Sequence, residues 1–320
     1  MSITINGGVP DWFVDQFKGD VYHSCQQKES LLAKAVQHEP VVGAEDVAFD
    51  MIGQAEMTEK VGRNPETPRN DPNSARRWVS TTPYHNAYQF DKDDDLQMKL
   101  DAKGSVVKEL TFARNRKVDD IILASFDATV NAGRRNNSST ITWASTNGNV
   151  KYTSTSGGRT IPHDCSEGNC SASDTGMTVE KIQLVKEYFM ANEVGEDTPI
   201  FGLISPRQGT NMWGQEEYTN FDFNTNKPLA TLMYLKQWGG INWIVSNKVV
   251  KGTANDVDAD TAVYKCWFWA QDGIILGVAD DFTVEMSVRD DLSYAQQVYV
   301  HMNMGAMRFD EDKVCKVECQ

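Results

Sequence analysis

Residues 62–95 read GRNPETPRNDPNSARRWVSTTPYHNAYQFDKDDD, a stretch that a compact domain does not easily absorb. Prolines stand at Pro65, Pro68, Pro72 and Pro83, charges are interspersed, and apolar periodicity is nearly absent before Trp78. Irregular loops of this length are uncommon in compact domains unless they serve a purpose. Yet Trp78, Tyr84, Tyr88 and Phe90 are large apolar groups of the kind that solvated linkers lack. Arg76 and Arg77 add planar forks suited to carboxylates on another surface. Two readings fit: a long arm or hairpin that folds out and packs on a neighbouring subunit, and a flexible surface loop.

The rest of the chain supplies a body for such an arm. From Ser105 to Val130, Val107, Leu110, Val118, Ile121, Ile122 and Phe126 recur at three- and four-residue steps. That spacing predicts one long helix, roughly 39 Å at ~1.5 Å per residue, ended by Gly133. Thr178 to Asn192 predicts a second helix with Thr178 as its N-cap. Ahead of the arm, Trp12, Phe13 and Phe17 share a helical face, and a further helical piece is expected from Gln26 to Val36, stopped by Pro40. Strands are expected at Val47–Met51, Pro199–Ser205 and Ile241–Val250, with a helix at Pro228–Trp238. Asn136 to Thr178 is rich in Ser, Thr, Gly and Asn, and Asn147-Gly148 suits a hairpin turn. The last third alternates with period two. Gln271-Asp272-Gly273 predicts a hairpin between Val263–Ala270 and Gly273–Ala279, and Phe282–Val288, Tyr299–Met307 and Val314–Val317 follow as strands. The fold class is α+β, without internal repeats.

Composition narrows the function. The chain has 320 residues, 40% hydrophobic and 24% charged, with a formal net charge of -14. That charge argues against a broad grip on nucleic acid, which needs Lys and Arg to displace phosphate counterions. It is compatible with a surface that must not adhere to nearby DNA. No apolar run reaches the ~18 residues of a membrane span, and no secretory pattern opens the sequence, so a protein made in a reducing cytoplasm is expected. Six cysteines are too few for a disulfide scaffold at this length. Cys315 and Cys319 read as buried free thiols.

No residue set takes a catalytic role. His163, Cys165 and Cys170 form H-x-C-x4-C, one ligand short of a zinc site and without knuckle spacing. Asp119 and Asp120 are neighbours on the long helix and point about 100° apart, so they do not form an acid–base pair. Asp119 is expected on the polar side, paired with Arg116, Lys117 or another chain. Walker, dinucleotide and G-x-S-x-G patterns are absent. The expectation is no catalytic residue, no metal and no cofactor.

The order of parts carries a resemblance: aromatic N-terminal segment, two-way extended loop, long helix, α/β middle, late long strands. NDPNSARRWVSTTPYHNA followed by KDDDLQMKLDAKGSVVKELTFARNRKVDDIILASFDATVNAG is similar to a family of tailed-phage major capsid proteins with the Hong Kong 97-type fold. FVDQFKGDVYHSCQQKESLLAKAV and GAMRFDEDKVCKVEC are similar too, so the likeness spans nearly the whole chain. It implies an N-arm (1–45), a peripheral-domain strand (46–61), an extended loop or E-loop (62–95) and a peripheral domain with a spine helix (96–135). A Ser/Thr-rich insertion (136–175), an axial domain (176–280), returning peripheral strands (281–310) and a last axial strand (311–320) follow. It also implies pentamers and hexamers in an icosahedral head around double-stranded DNA. A separate scaffolding protein, a portal and a decoration or cement protein are the expected partners, with assembly in the host cytoplasm. Contacts between subunits are expected at Trp12, Phe13, Phe17, Arg76, Arg77, Trp78 and Tyr84, since aromatics and Arg dominate interface energies. Two rival readings are an encapsulin-like shell around protein cargo and a metal-dependent enzyme built on His163, Cys165 and Cys170.

Overall fold

A computed structural model describes residues 25–44, 46–63, 66–67, 69, 71–90, 102–134, 137–143, 159–163, 165–166, 169–170, 176–195, 197–219, 236–249, 251–252 and 263–320. Its strands are β1 (Gln37–Pro40), β2 (Asp46–Ile52), β3 (Ser74–Ser80), β4 (Thr82–Phe90), β5 (Val130–Arg134), β6 (Asn137–Ile141), β7 (Thr160–Ile161), β8 (Cys165–Ser166) and β9 (Asn169–Cys170). They continue with β10 (Ile200–Ile204), β11 (Gln237–Trp238), β12 (Ile241–Val245), β13 (Lys251–Gly252), β14 (Val263–Ala270), β15 (Ile274–Arg289), β16 (Ala295–Arg308) and β17 (Val314–Cys319). The helices are α1 (Ala102–Asp127), α2 (Val179–Ala191), α3 (Pro206–Trp213) and α4 (Glu216–Thr219).

The long late strands build a four-stranded sheet in the order β1-β15-β16-β4. At about 3.3 Å per residue the 16-residue β15 runs roughly 53 Å, and α1 lies along its neighbour β16. Alternation does the sorting. Val298, Val300, Met302 and Met304 share one face of β16 and are all buried. The first two pack with Leu110 of α1, the last two with its Val118, Ile122 and Phe126. A seven-stranded sheet, β11-β12-β10-β14-β17-β7 with β13 beside β14, forms the second body. Its central β14 is buried on both faces: Cys266 and Phe268 join the α2 core with Ile182, Val185 and Tyr188, while Trp267 and Trp269 join the α1 core. Phe126 stacks on Trp267 at 5.1 Å, so the two bodies share packed aromatic surface.

A third sheet, β2-β3-β5-β6, carries the hairpin formed by β2 and β3. Every described residue from Ile52 to Arg76 is exposed. The root of the hairpin crosses the four-stranded sheet where Gly277 and Gly305 face each other across β15 and β16. A methyl at Gly277 would sit 2.7 Å from Val79 Cγ1, and one at Gly305 would overlap the Ser80 carbonyl. Gly305 needs glycine because the backbone at Ser80 and Thr81 passes over it, and Gly277 because the Val79 and Val41 side chains press on it.

Several expectations change. Gln26–Val36 is not a helix: only Ala33–Ala35 makes a 3-10 turn, and Pro40 closes strand β1 rather than a helix. The 271–273 turn is not a hairpin; β14 pairs with β10, β13 and β17, while β15 pairs with β1 and β16, so the turn passes the chain between sheets. Of the helix expected at Pro228–Trp238, residues 228–235 lie outside the described residues and Gln237–Trp238 is a strand. It turns into β12 through Gly239 and Gly240, both at positive φ, as a two-residue hairpin requires. The long helix ends at Asp127, and Gly133 lies in β5. Thr178 does cap α2, accepting from the Lys181 amide at 3.4 Å. The Asn147-Gly148 turn, like Trp12, Phe13 and Phe17, lies outside the described residues.

Replacing Gly305 with Ala should cost at least the ~1–3 kcal/mol of an overpacked core. Gly239→Ala, strained only by its positive φ, should cost less. Thermal unfolding of the two variants checks the order. A second test uses thiol alkylation of the native protein. Cys25 is exposed, while Cys266, Cys315 and Cys319 are buried and unbridged. Burial also pushes the Cys315 thiol well up, which disfavours the reactive thiolate. Mass-resolved labelling should mark Cys25 rapidly and these three only after denaturation.

Candidate functional site

The root of the hairpin is where the subunit's parts converge. β3 places Arg77 inward, and its side chain is only 7% exposed, as is that of Glu311 in the turn between β16 and β17. Both guanidinium tips of Arg77 donate to the two Glu311 oxygens, Nη1 to Oε1 at 2.5 Å. Nη1 also donates to the Arg308 carbonyl at 3.2 Å. Arg308, fully buried, gives Nε to Glu311 Oε1 at 3.2 Å and Nη1 to the Phe126 carbonyl in the last turn of α1 at 2.6 Å. Carbonyls in the last helical turn have no helical partner and carry the negative end of the dipole, which favours a cation there. The Arg308 guanidinium also lies 5.0 Å over the Trp143 ring. Tyr188 Oη donates to the Glu311 carbonyl at 3.3 Å, which brings α2 in.

The Glu311 carboxylate thus joins the hairpin root to the end of β16, Arg308 carries the contact on to α1, and the Glu311 backbone carbonyl takes in α2. Burial alone would raise the Glu311 carboxyl, but the Arg77 and Arg308 guanidiniums overcome this and hold it below its ordinary value. Neighbouring Asp310 goes the other way, pushed up by burial.

A second anchor holds the first described residues to α1. Asp119 is buried, not on the polar side, and pairs with neither Arg116 nor Lys117. It accepts from Ser30 Oγ at 2.5 Å, from the Leu31 and Leu32 amides at 3.1 and 3.2 Å, and from Gln27 Nε2. This closes the turn ahead of Ala33 much as an N-cap carboxylate does. Asp120 points elsewhere and pairs with Lys248 at 2.8 Å.

Of the contact residues expected from sequence, Arg77, Trp78 and Tyr84 have partners within the subunit. Arg77 pairs with Glu311 of its own chain. Trp78 is half-buried and donates Nε1 to the Gly133 carbonyl at 2.7 Å. Tyr84 on β4 packs against the α1 core with Lys117 Nζ 4.6 Å over its ring. Arg76 alone is exposed, bridged to Asp50 across the hairpin, Nη2 to Oδ2 at 2.7 Å. These contacts follow from 74–80 and 82–90 being paired strands rather than loop. The described residues between 53 and 73 are all exposed, Met57 and Val61 at 101% and 77%. Sequence reading passed over these two, although an apolar residue amid Glu56, Glu59 and Lys60 was a signal. Among the described residues no three His, Cys, Asp or Glu side chains converge as a metal site. Cys165 and Cys170 are backbone register partners in the β8–β9 ladder.

Residues 9–320 match the phage capsid protein family. The chain belongs to that family. No curated protein sequence matches this capsid protein, but solved structures do. The capsid of the cyanophage P-SCSP1u is similar at 16% identity and TM-score 0.68, covering 97% of this chain and 94% of that one. The capsid of Ralstonia phage GP4 is similar at 11% identity and TM-score 0.68, covering 100% and 98%. The head of Helicobacter pylori bacteriophage KHP40 is similar at 10% identity and TM-score 0.67, covering 96% and 95%. At such identities the likeness is one of fold, and it extends over whole chains. The capsid protein is a structural protein of the virion, not an enzyme.

Removing one partner of a buried ion pair leaves an uncompensated charge. Glu311→Ala or Arg77→Ala should therefore lose about 3–5 kcal/mol in chemical denaturation. The pH sign follows from the depressed Glu311 carboxyl. Its stabilisation is complete above the unfolded value of about 4.3 and is lost as pH falls through the lower folded value. Denaturation curves between pH 7 and 3 should show this acid-side loss in the native chain. Glu311→Gln should remove part of it, while the opposite contribution of Asp310 remains.

Proposed function

We propose that this capsid protein is the major one of its phage, assembling into the pentamers and hexamers of an icosahedral head that encloses double-stranded DNA. The observation that carries the reading is the hairpin of β2 and β3. Its described outer residues are exposed, with Ile52, Met57 and Val61 uncovered, while its root is locked by Arg77 and Glu311. A rigid root with an uncovered apolar tip suits a contact completed by another copy. Head-to-tail contacts of this kind close into rings of five or six.

On this reading the hairpin is the E-loop and the residues ahead of the Asp119 clasp are the N-arm, with Trp12, Phe13 and Phe17 as anchors on a neighbour. α1 and the four-stranded sheet form the peripheral domain, and the seven-stranded sheet with α2 forms the axial domain. Arg76 is the member of the arginine–tryptophan cluster left at the surface to meet another subunit. A scaffolding protein during assembly, a portal at one vertex and a decoration protein are the partners such a role brings. Assembly takes place in the host cytoplasm. The acidic balance keeps the inner wall from binding the genome. If reversing inner-wall charge left packaging and release unchanged, that last point would fall.

Co-expression with the adjacent phage genes tests the reading. Light scattering and negative-stain microscopy should find closed shells or stable rings of five and six. A uniform 35.8 kDa monomer under every condition would overturn it. Met57→Asp with Val61→Asp should leave subunit stability within about 0.5 kcal/mol, as exposed substitutions do, yet sharply lower the yield of particles.

A further inference from the structure

The hairpin of β8 and β9 has two residue pairs, Cys165 with Cys170 and Ser166 with Asn169, and among the described residues it joins none of the larger sheets. An isolated two-stranded ladder is marginally stable at best. Its base, by contrast, is fixed. β7, just ahead of it, pairs with β17 at the edge of the seven-stranded sheet. The fully buried Lys181 of α2 donates Nζ to the His163 carbonyl at 3.1 Å and to the Glu318 carbonyl at 3.0 Å. Beyond the hairpin, the Met177 amide donates to Gln208 Oε1 at 2.9 Å.

The register decides what the two cysteines are placed to do. Only Glu167 and Gly168 separate the strands. The pair that flanks a two-residue loop, here Ser166 and Asn169, exchanges backbone hydrogen bonds, and antiparallel pairs alternate. Cys165 and Cys170 therefore occupy a non-hydrogen-bonded pair, where α-carbons stand about 4.5 Å apart and side chains approach most closely. A disulfide spans α-carbons roughly 4.4–6.8 Å apart. The cysteines of the seven-stranded sheet are placed differently. Cys315 lies opposite Phe268, Cys266 opposite Val317 and Cys319 opposite Tyr264. Cys266 and Cys319 are thus diagonal neighbours, about 7–8 Å apart, at the limit of what a bridge spans.

We infer that Cys165 and Cys170 are a site of oxidative modification, joined by a disulfide once the capsid protein has left a reducing environment, and that this bridge closes the β8–β9 hairpin beside α2. The inference concerns the subunit's own fold and is independent of how many copies form the head. Thiols stay reduced in a cytosol and are oxidised outside it. The oxidant is a low-molecular-weight disulfide such as oxidised glutathione. One cysteine thiolate attacks it, forming a mixed disulfide and releasing one small thiol. The second cysteine thiolate attacks the mixed disulfide and releases the other. Two electrons pass from the protein to the small disulfide, and the two cysteine protons end on the two small thiols.

The tryptic peptide Thr160–Lys181 contains both residues and no other cysteine. Full-length protein is equilibrated with reduced and oxidised glutathione, quenched, alkylated in denaturant and digested. By mass spectrometry that peptide should be two hydrogens lighter than its reduced form, carry no alkyl group, and gain two alkyl groups after dithiothreitol. Short spacing alone also favours bridging, so register is tested apart from it. Asn169→Cys with Cys170→Ser brings the thiol one residue closer in sequence but turns it to the opposite face. Its bridge should be about tenfold weaker against the same buffer; equal strength would overturn the proposal. Should that variant disturb the hairpin, the native chain in urea gives the second measurement. There too the bridge should weaken about tenfold, and an unchanged equilibrium overturns it. Two alkyl groups on the native peptide at every oxidant ratio, or glutathione left on both cysteines, overturns it as well. So does stoichiometric zinc that shields both thiols until a chelator is added, since the pair would then be a metal site.

Discussion

The buried contact between Arg77 and Glu311 is the constraint on which the rest depends. A guanidinium and a carboxylate removed from water cost several kcal/mol each unless their geometry is good and their remaining hydrogen bonds are answered. Here both Glu311 oxygens are taken by Arg77, and Arg308 adds a further donor. Apolar residues of the same volume could stabilise the site as well. What the ionic arrangement adds is direction: a bidentate fork accepts few orientations, so the angle at which the hairpin leaves the body is set by the turn after β16. The paired glycines beneath the hairpin let its backbone come close enough for that fork to reach.

Long range in space goes with long elements here. α1 and the β15–β16 ladder lie along each other, joined by Leu110 at one part and by Val118, Ile122 and Phe126 at another. At the end of α1, Phe126 stacks on Trp267, so the helix joins this sheet to the seven-stranded one through packed aromatics.

Much of this was legible in the sequence, and the limits have physical causes. The long helix, the capped α2 and the late strands were visible because each repeats its pattern over many residues. The 271–273 turn misled because Asp-Gly marks a reversal but does not say whether the two strands pair. Gln26–Val36 misled because its apolar spacing serves burial of Leu32, Ala35 and Val36 in an irregular clasp. That clasp is held by a buried carboxylate far along the chain. Arg77 and Trp78 were recognised as contact residues, but sequence carries no sign of whether a contact lies within a subunit or between two. The exposed Met57 was legible and passed over, because a single apolar residue among charges has no period.

The sequence separation of the central contact has a kinetic consequence. Arg77 and Glu311 stand 234 positions apart, and Asp119 closes its clasp on residues almost ninety positions earlier. Such non-local contacts make folding slow, because loop-closure entropy must be met before they reward it. During synthesis the hairpin is finished long before the residue that orients it has been made. A nascent chain therefore cannot present its hairpin at the working angle, and order in time is imposed on assembly by topology alone.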